Sequence, residues 1–350
     1  MEKIKLSDIN INYRNLITPD KLKEMHPLSN NAKKIVLNGR NSIKDILDGK
    51  DERKFIILGP CSIHNIDESI EYASKLKELS DKVKDKFLLI MRTYFEKPRT
   101  TIGWEGFIYD PDLDGSFNLK KGYNLARKLL VEIAEIGVPS ATEFLDPITP
   151  QYIDDLISWA AIGARTTESQ IHRRMSSGLS MPIGFKNSTY GHEDVAIDAI
   201  KSAQYHHCFP GIDKEGKVCA VETKGNKYCH VVLRGGDGTP NYHSEQVEKT
   251  QQNLRKQGLK HNIVIDCSHG NSNKDYKMQS KVFNNVIEQI VNGNKGIIGL
   301  MLESNLREGK QHLPKDPSKL EYGRSITDSC IGMKTTENII LQAYNTLNEL

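Results

Sequence analysis

Eight side chains that carry charge or can bind a metal stand at, or within a few residues of, the ends of short apolar runs. In chain order they are Cys61, Arg92, Glu143, Arg165, Lys186, Arg234, His269 and Glu303. A single polar residue at the end of an apolar run is common. The same feature after eight successive runs indicates that the runs deliver these side chains to one shared site.

Positive charge dominates this set and its neighbours. The cations are Arg92, Lys97, Arg99, Arg165, Lys186 and Arg234. Arginine presents a planar fork that suits phosphate and carboxylate, and so many cations repel one another unless anions lie between them. The segment 96–101 adds the hydroxyls of Thr100 and Thr101. The pattern predicts a site for small phosphorylated anions with room for more than one phosphate. The alternative is an ordinary solvated basic surface.

Four residues could bind a metal ion. They are Cys61, His269, Glu303 and Asp328. A thiolate, an imidazole and two carboxylates suit Mn, Fe, Co or Zn better than Mg or Ca. The four are scattered along the chain and meet only if the fold brings them together. A buried structural cysteine beside a catalytic His/Glu pair, with no metal, therefore remains open as an interpretation of the residues alone.

The elements that must position these residues alternate regularly. Apolar runs lie at 55–58, 87–91, 138–142, 161–164, 182–185, 230–233, 262–265 and 297–302. Amphipathic helical segments are predicted at 66–79, 123–136, 152–160, 193–203, 244–257, 281–291 and 336–347. Apolar strands alternating with helices indicate a parallel sheet covered by helices. Eight such units, without a GxGxxG turn, predict an α/β fold of the (β/α)8 TIM-barrel type rather than an open doubly wound sheet.

Two regions fall outside this repeat. We predict that residues 1–50 form an N-terminal arm with a helix near 31–47, and that residues 51–350 form the catalytic barrel. Residues 206–228 read as a β-hairpin inserted between strands five and six, with its turn at 213–216. The arm and the hairpin are candidates for regulation or assembly.

Composition excludes several classes of function. The chain has 48 Lys+Arg against 45 Asp+Glu, a formal charge of +3. This balance argues against a nucleic-acid or membrane binder. No apolar run approaches the roughly 20 residues of a spanning helix, and the N-terminus lacks the apolar core of a signal peptide. The six cysteines lack CxxC pairs, which is typical of reduced thiols. We expect a cytoplasmic protein.

Seven segments of the chain make it recognisable. They are GPCSIH (59–64), MRTYFEKPRTTIGWEG (91–106), GARTTESQ (163–170), GFKN (184–187), LRGG (233–236), IDCSHGNS (265–272) and SITDSCIG (325–332). With these segments the sequence closely resembles class I 3-deoxy-D-arabino-heptulosonate 7-phosphate (DAHP) synthase, in its amino-acid-regulated microbial branch. The resemblance extends over essentially the whole chain, including the arm and the hairpin.

The resemblance implies an activity and a role for each matching residue. The activity is condensation of phosphoenolpyruvate with erythrose 4-phosphate, with release of phosphate, at the start of the shikimate pathway. It implies one divalent ion per subunit, bound by Cys61, His269, Glu303 and Asp328. It implies phosphoenolpyruvate binding by Arg92, Lys97, Arg165, Lys186 and Arg234, and sugar-phosphate binding by Arg99 and Thr100. For this chemistry we interpret Lys97 as the proton donor, with a ligand-bound or Glu143-oriented water as the nucleophile.

Three other functions are weighed against this one. The first is 3-deoxy-octulosonate 8-phosphate synthase, a sister enzyme that uses a five-carbon aldehyde and is disfavoured by the long KPRTT loop, the arm and the hairpin. The second is a metal-dependent aldolase that cleaves a sugar bisphosphate, which would not need so many cations. The third is a non-catalytic phosphosugar-binding regulator, for which a full metal set would be unexplained.

The resemblance also implies assembly and feedback control. Family members of this branch suggest a homo-oligomer, a dimer of dimers, inhibited by an aromatic amino acid bound between the barrel side, the hairpin and a partner's arm. The matching positions are Asp8, Asn10, Pro150, Gln151, Leu179, Ser180, Phe209, Gly211 and Val221. In the family, phenylalanine-sensitive members tend to carry Ser at the position of Gly211 and tyrosine-sensitive members Gly, so the resemblance favours tyrosine as the inhibitor. The physical reason is that glycine leaves space for a phenolic hydroxyl. The alternative is that Gly211 is only a turn residue after Pro210.

Overall fold

A computed structural model of the chain describes residues 10–349. Asp8, one of the predicted inhibitor contacts, lies outside the described residues. Within them, no helix is long and apolar enough to cross a membrane.

Eleven strands form in the described part of the chain. They are β1 (Lys54–Gly59), β2 (Phe87–Arg92), β3 (Ser140–Glu143), β4 (Ile157–Ile162), β5 (Ile183–Lys186), β6 (Cys208–Ile212), β7 (Val218–Glu222), β8 (Cys229–Leu233), β9 (Ile263–Asp266), β10 (Ile297–Asn305) and β11 (Ile331–Gly332). Strands β1–β5 and β8–β10 pair in parallel in that order. Strand β1 also pairs with β10, from Phe55 opposite Gly299 to Gly59 opposite Glu303, so the sheet closes on itself.

Ten α-helices accompany these strands in the described residues. They are α1 (Pro19–Met25), α2 (Asn30–Leu47), α3 (Ile66–Val83), α4 (Leu119–Ile136), α5 (Thr149–Ile153), α6 (Gln170–Gly178), α7 (Asp194–Ala203), α8 (Ser244–Lys256), α9 (Met278–Val291) and α10 (Met333–Asn348). Several begin at polar caps, since the side chains of Ser29, Asn65 and Asn118 accept hydrogen bonds from the first turns of α2, α3 and α4. The closed parallel sheet with alternating helices confirms the predicted (β/α)8 barrel.

The apolar core has two layers. The larger layer lies between the strands and the surrounding helices. The smaller layer fills the barrel interior with strand residues such as Phe55, Trp159 and Val264. Ile43 and Leu47 of α2 belong to the same inner layer. Helix α2 therefore closes one end of the barrel, and the opposite end, where the strands terminate, is left for the cleft described below.

One predicted helix is wrong. We expect a helix over 152–160 and a strand at 161–164, whereas the chain forms the short helix α5, a single 3₁₀ turn at Asp154–Leu156, and then strand β4 at Ile157–Ile162. All six residues of β4 are buried. In the sequence, the polar residues Asp154, Asp155 and Ser158 recur at a spacing that favours an amphipathic helix. Ser158 is instead buried in β4, because the tertiary fold overrides the local pattern.

The inserted hairpin forms as predicted. Strands β6 and β7 pair antiparallel, with Gly211 opposite Cys219 and Phe209 opposite Val221. The turn is at Asp213–Lys217, where the backbone N–H of Asp213 donates to the carbonyl of Lys217. Gly211 lies within β6, so its interpretation as a turn residue is wrong. The division of the chain into an arm at 1–50 and a barrel at 51–350 stays a prediction.

Candidate active site

The carboxyl ends of the barrel strands surround a cleft of about 220 Å³ that is open to solvent. It is lined by Arg92, Lys97, Pro98, Arg99, Glu143, Ala164, Arg165, Lys186, Thr189, Arg234, Asp237, His269, Lys274, Thr327 and Asp328. All six cations singled out in the sequence line this cleft. The barrel brings them together because parallel strands that follow one another around a closed sheet end on the same face.

Three of the four predicted metal ligands converge beside the cleft. The ligand atoms of Cys61, Glu303 and Asp328 lie within 4.8 Å of one another. The Cys61 sulfur is 3.9 Å from Oδ2 of Asp328 and accepts from the backbone N–H of Asp328 at 3.4 Å. Lys97 Nζ donates to the same sulfur at 3.3 Å. A cysteine from the end of β1 thus meets a carboxylate from the loop before β11.

Glu303 also contacts a substrate-binding candidate. Its Oε1 accepts a hydrogen bond from Nη2 of Arg92 at 2.9 Å, and both side chains are almost completely buried. Arg92 donates further to the carbonyls of Pro60 and Cys61, each at 3.1 Å. The cluster of candidate metal ligands and the cations of the cleft therefore share one network.

His269 lies beside the cluster rather than within it. Its Nε2 is 3.7 Å from Oε1 of Glu303, and its Nδ1 is 2.9 Å from Asp266 and 2.7 Å from the hydroxyl of Ser268. The backbone of His269 is left-handed, with φ of 54°. This conformation is uncommon for a residue other than glycine and is found at sites where the surrounding structure holds it.

The donor atoms fit a divalent cation. Burial raises the pKa of the Cys61 thiol, and the nearby Glu303 carboxylate raises it further. A thiolate and two carboxylates so close together would repel one another without a cation between them, and a bound metal ion removes that penalty. A soft sulfur beside hard oxygens suits a first-row transition metal or zinc.

Lys186 is held between two carboxylates at the base of the cleft. Its Nζ lies 3.4 Å from Glu143 and 3.5 Å from Asp266, and all three side chains are buried. Burial alone would raise the pKa of Glu143, but Lys186 and Lys97 lower it below its usual value. Burial alone would likewise raise the pKa of Asp266. The nearby His269 and Lys186 outweigh this effect and hold the pKa of Asp266 well below its usual value. Both carboxylates therefore stay ionised on either side of the Lys186 ammonium group.

Sequence reasoning missed Asp266. It is the last residue of β9, and its carboxylate contacts both Lys186 and His269. The signal was available, because Asp266 ends an apolar run in the manner of the eight residues singled out above.

The remaining cations reach the cleft without carboxylate partners. Within residues 10–349, Arg99, Arg165 and Arg234 make no ion pair. Arg165 donates to the hydroxyl of Thr100 at 3.2 Å, which ties the loop after β2 to the end of β4. Arg99 donates to the carbonyl of Trp104 at 2.7 Å. Unpaired guanidinium groups in one cleft provide an electrostatic site for anions.

The predicted inhibitor positions lie on segments that the structure connects outside the barrel. The amide of Asn226, just beyond the hairpin strands, donates to the carbonyl of Leu179 at 3.1 Å. The hydroxyls of Ser177 and Thr223 are 2.6 Å apart. Helix α1 approaches the hairpin turn where Asp20 N–H donates to the carbonyl of Lys214. Asn10 and Ser180 are exposed, Pro150 is buried, and Gln151, Leu179, Phe209, Gly211 and Val221 are half-buried.

A closed (β/α)8 barrel with a thiol–carboxylate cluster beside a cation-lined cleft defines an enzyme acting on small phosphorylated anions. Comparison with known proteins identifies the family. The sequence profile of the DAHP synthetase I family matches residues 25–341, and the chain belongs to this family. The predicted resemblance is confirmed.

Curated relatives match nearly the whole chain. It is 48% identical over 349 residues to the Tyr-sensitive phospho-2-dehydro-3-deoxyheptonate aldolase of Escherichia coli K12, covering 99% of this chain and 98% of the relative. It is 48% identical over 334 residues to the Phe-sensitive enzyme of the same organism, covering 95% of each. A solved structure of this aldolase from Francisella tularensis SCHU S4 aligns with a TM-score of 0.93 at 47% identity, covering 96% of this chain and 98% of that one.

Proposed function

We propose that this chain is a DAHP synthase, which condenses phosphoenolpyruvate with erythrose 4-phosphate and releases inorganic phosphate. The observation that carries the proposal is the surplus of unpaired cations lining a cleft that adjoins the Cys61–Glu303–Asp328 cluster. Two substrates that each carry phosphate must share one pocket in this reaction, and only a strongly positive cleft can hold both.

The residues divide between the two substrates. We assign phosphoenolpyruvate to Arg92, Lys97, Arg165, Lys186 and Arg234, and the phosphate of the sugar to Arg99 and Thr100. Arg165 and Thr100 are hydrogen-bonded to each other, which supports adjacent binding of the two molecules. Such adjacency is what a bond-forming reaction between them requires.

We assign the chemical steps to these groups as follows. C3 of phosphoenolpyruvate bonds to the aldehyde carbon, and Lys97 gives a proton to the oxygen that becomes a hydroxyl. Water, oriented by Glu143, bonds to C2, and one of its protons restores Lys97. The other proton passes to the departing phosphate as the C2–O bond to the phosphoryl group breaks, which leaves a carbonyl at C2 and inorganic phosphate. Cys61, His269, Glu303 and Asp328 would hold the divalent ion, which would supply Lewis-acid polarisation of the aldehyde when bound.

The test is phosphate release on mixing the two substrates with metal-loaded protein, together with mass spectrometry of the seven-carbon product. We expect stoichiometric phosphate and product only when both substrates are present. Arabinose 5-phosphate replaces the four-carbon aldehyde in a parallel reaction, and faster turnover with it would identify the sister octulosonate enzyme instead. Phosphate release without an aldehyde, or no reaction at all, would contradict the proposal.

We propose one Mn, Fe, Co or Zn ion per subunit. The mixed thiol and carboxylate donors support this group of metals over Mg and Ca. Elemental analysis of protein purified without chelator measures the identity of the metal and the number of metal ions per subunit. A ratio near zero in active protein would contradict the assignment.

We propose that the enzyme is a cytoplasmic dimer of dimers inhibited by tyrosine more than by phenylalanine. Glycine at 211 supports the choice of tyrosine, as does the Tyr-sensitivity of the Escherichia coli K12 relative, which matches 99% of this chain. Initial rates with each amino acid added at equal concentration measure the preference. Stronger inhibition by phenylalanine would contradict it.

A further inference from the structure

Tyr94 lies beneath two of the cations that line the cleft. Its ring centroid is 3.5 Å from Cζ of Arg92 and 5.6 Å from Nζ of Lys186. Tyr94 is only 1% exposed and belongs to the inner layer of the barrel core. Its ring therefore separates the apolar interior of the barrel from the charged base of the cleft.

The aromatic ring of Tyr94, rather than its hydroxyl, contacts the two cations. The hydroxyl of Tyr94 has one hydrogen-bond partner among the described residues, the sulfur of Met301 at 4.0 Å. Sulfur is a weak acceptor and this distance is long. Burial raises the pKa of the Tyr94 phenol well above its usual value, so the group stays neutral. The interactions of Tyr94 with charge thus run through its π face.

A neutral aromatic face suits this position for a physical reason. Arg92 and Lys186 are both buried cations, and each already has carboxylate partners, Glu303 for Arg92 and Glu143 with Asp266 for Lys186. A further carboxylate would neutralise the cleft and repel an anionic substrate. An aliphatic side chain would leave the two cations against a purely apolar surface. A π face attracts both cations without occupying their N–H donors.

We infer that Tyr94 is a positioning residue whose π face holds Arg92 and Lys186 directed at the anionic groups of phosphoenolpyruvate. The identity of that anion rests on the proposed function. Tyr94 touches neither substrate in this assignment. It acts through the two cations, so its removal weakens substrate binding more than it slows turnover.

Simple substitutions give the first test. Tyr94→Phe keeps the ring and removes a weakly bonded hydroxyl, so KM for phosphoenolpyruvate should stay within about twofold of wild type. Tyr94→Leu removes the π face, and a desolvated cation–π contact of this kind corresponds to a rise in KM of about tenfold or more, with a smaller change in kcat. Equal KM values for the Leu and Phe variants would overturn the inference.

A fluorinated series separates electrostatics from packing. Phenylalanine, 4-fluoro-, 3,5-difluoro- and 3,4,5-trifluorophenylalanine at position 94 have nearly the same shape but progressively weaker π faces. We expect log KM for phosphoenolpyruvate to rise stepwise with fluorine number, to about tenfold overall. The same series at Phe95 is the control, because that ring packs against Phe107 and no described cation lies over it.

The outcomes distinguish this inference from the proposed function. Wild-type protein that releases no phosphate overturns the proposed function. If the wild type is active but log KM for phosphoenolpyruvate does not change with fluorine number at position 94, the role of Tyr94 is overturned. The same follows if log KM rises equally with fluorine number at position 95. If Tyr94→Leu fails to fold, judged by circular dichroism, the fluorinated series still decides, since each of its members keeps the ring.

Discussion

At the scale of single residues, Cys61 links the metal cluster to the cations of the cleft. It is completely buried, with Lys97 and Asp328 in contact with its sulfur. We expect Cys61→Ser to lose bound metal and to reduce turnover by about 100-fold or more, since even residues that only support metal ligands cost 10–100-fold. Elemental analysis and initial rates measure the two effects, and circular dichroism checks that the fold persists.

The matched control for this substitution is Cys208→Ser, on the exposed hairpin strand β6. It should keep both metal and activity. Full activity of Cys61→Ser, or of wild type stripped of metal by excess chelator, would contradict the metal assignment.

Gly211 is the residue on which the choice of inhibitor depends. A Cβ added there would lie 2.7 Å from Cγ2 of Val221, itself a predicted inhibitor contact. Gly211→Ser must therefore shift Val221 as well as fill space, and we expect at least a severalfold weaker inhibition by tyrosine. Rates at a series of tyrosine concentrations measure this. Ala220→Ser, at an exposed position of β7, is the control, and an unchanged tyrosine response in Gly211→Ser would count against the assignment.

At the scale of elements, Glu96 fastens the loop that carries Lys97 and Arg99. Its carboxylate accepts from the backbone N–H groups of Leu145 and Asp146, each at 3.1 Å, and from the hydroxyls of Tyr109 and Thr149, each at 3.0 Å. The loop after β2 is thereby attached to the segment after β3. That segment leads directly into Pro150 and Gln151, two of the predicted inhibitor contacts.

This buried carboxylate predicts a pH-dependent stability. Burial raises the pKa of Glu96 from an ordinary 4.5 to about 7, against the donors that lower it. Between these values the folded state binds more protons than the unfolded state, so the stability contribution is full below pH 4.5 and is lost as the pH rises through 7. The quantity to compare is the unfolding free energy of wild type minus that of Glu96→Gln. We expect this difference to fall by about 1–3 kcal/mol from pH 4.5 to 8.

Urea unfolding of both proteins at several pH values measures this difference. Glu52→Gln, on an exposed position before β1, is the control and should show no such trend. A difference between wild type and Glu96→Gln that is constant with pH would show that Glu96 is not protonated in the folded state.

At the scale of the whole molecule, the hairpin presents apolar residues to solvent. Val218 is 84% exposed, and Cys208, Pro210 and Ala220 on the same face are exposed as well. A strand pair with an apolar outer face is typical of an interface with another chain. We expect wild type to scatter light as a particle of four times the 39.5 kDa mass of one chain.

Charge placed on this face should disrupt the assembly. We expect Val218→Lys to give smaller particles at micromolar concentration because a buried unpaired charge is costly at an interface. Leu37→Lys, at a 54% exposed position of α2, is the control. A wild-type monomer, or an unchanged particle size for Val218→Lys, would contradict the proposed role of the hairpin.

The sequence by itself determined the fold class and which cations line the cleft. Strand ends in a parallel barrel meet on one face, so a list of residues at the ends of apolar runs predicts a site without any coordinates. Arg92, Lys186 and Arg234 reached the cleft for this reason. Asp266 obeyed the same rule and was overlooked. The helix predicted over 152–160 failed because Asp154, Asp155 and Ser158 fall at helical spacing in the sequence, whereas residues 157–162 form a strand buried on both faces.

Only the tertiary structure decided which of these residues touch. Spacing along the chain could not show that Cys61, Glu303 and Asp328 converge while His269 lies beside them against Asp266. It could not show Tyr94 under Arg92 and Lys186, or Glu96 reaching across to the segment after β3. Several of these contacts, such as Cys61 with Asp328 and Glu96 with Leu145, join residues dozens to hundreds of positions apart. They depend on strand register, backbone conformation and side-chain packing, which are set only when the barrel closes.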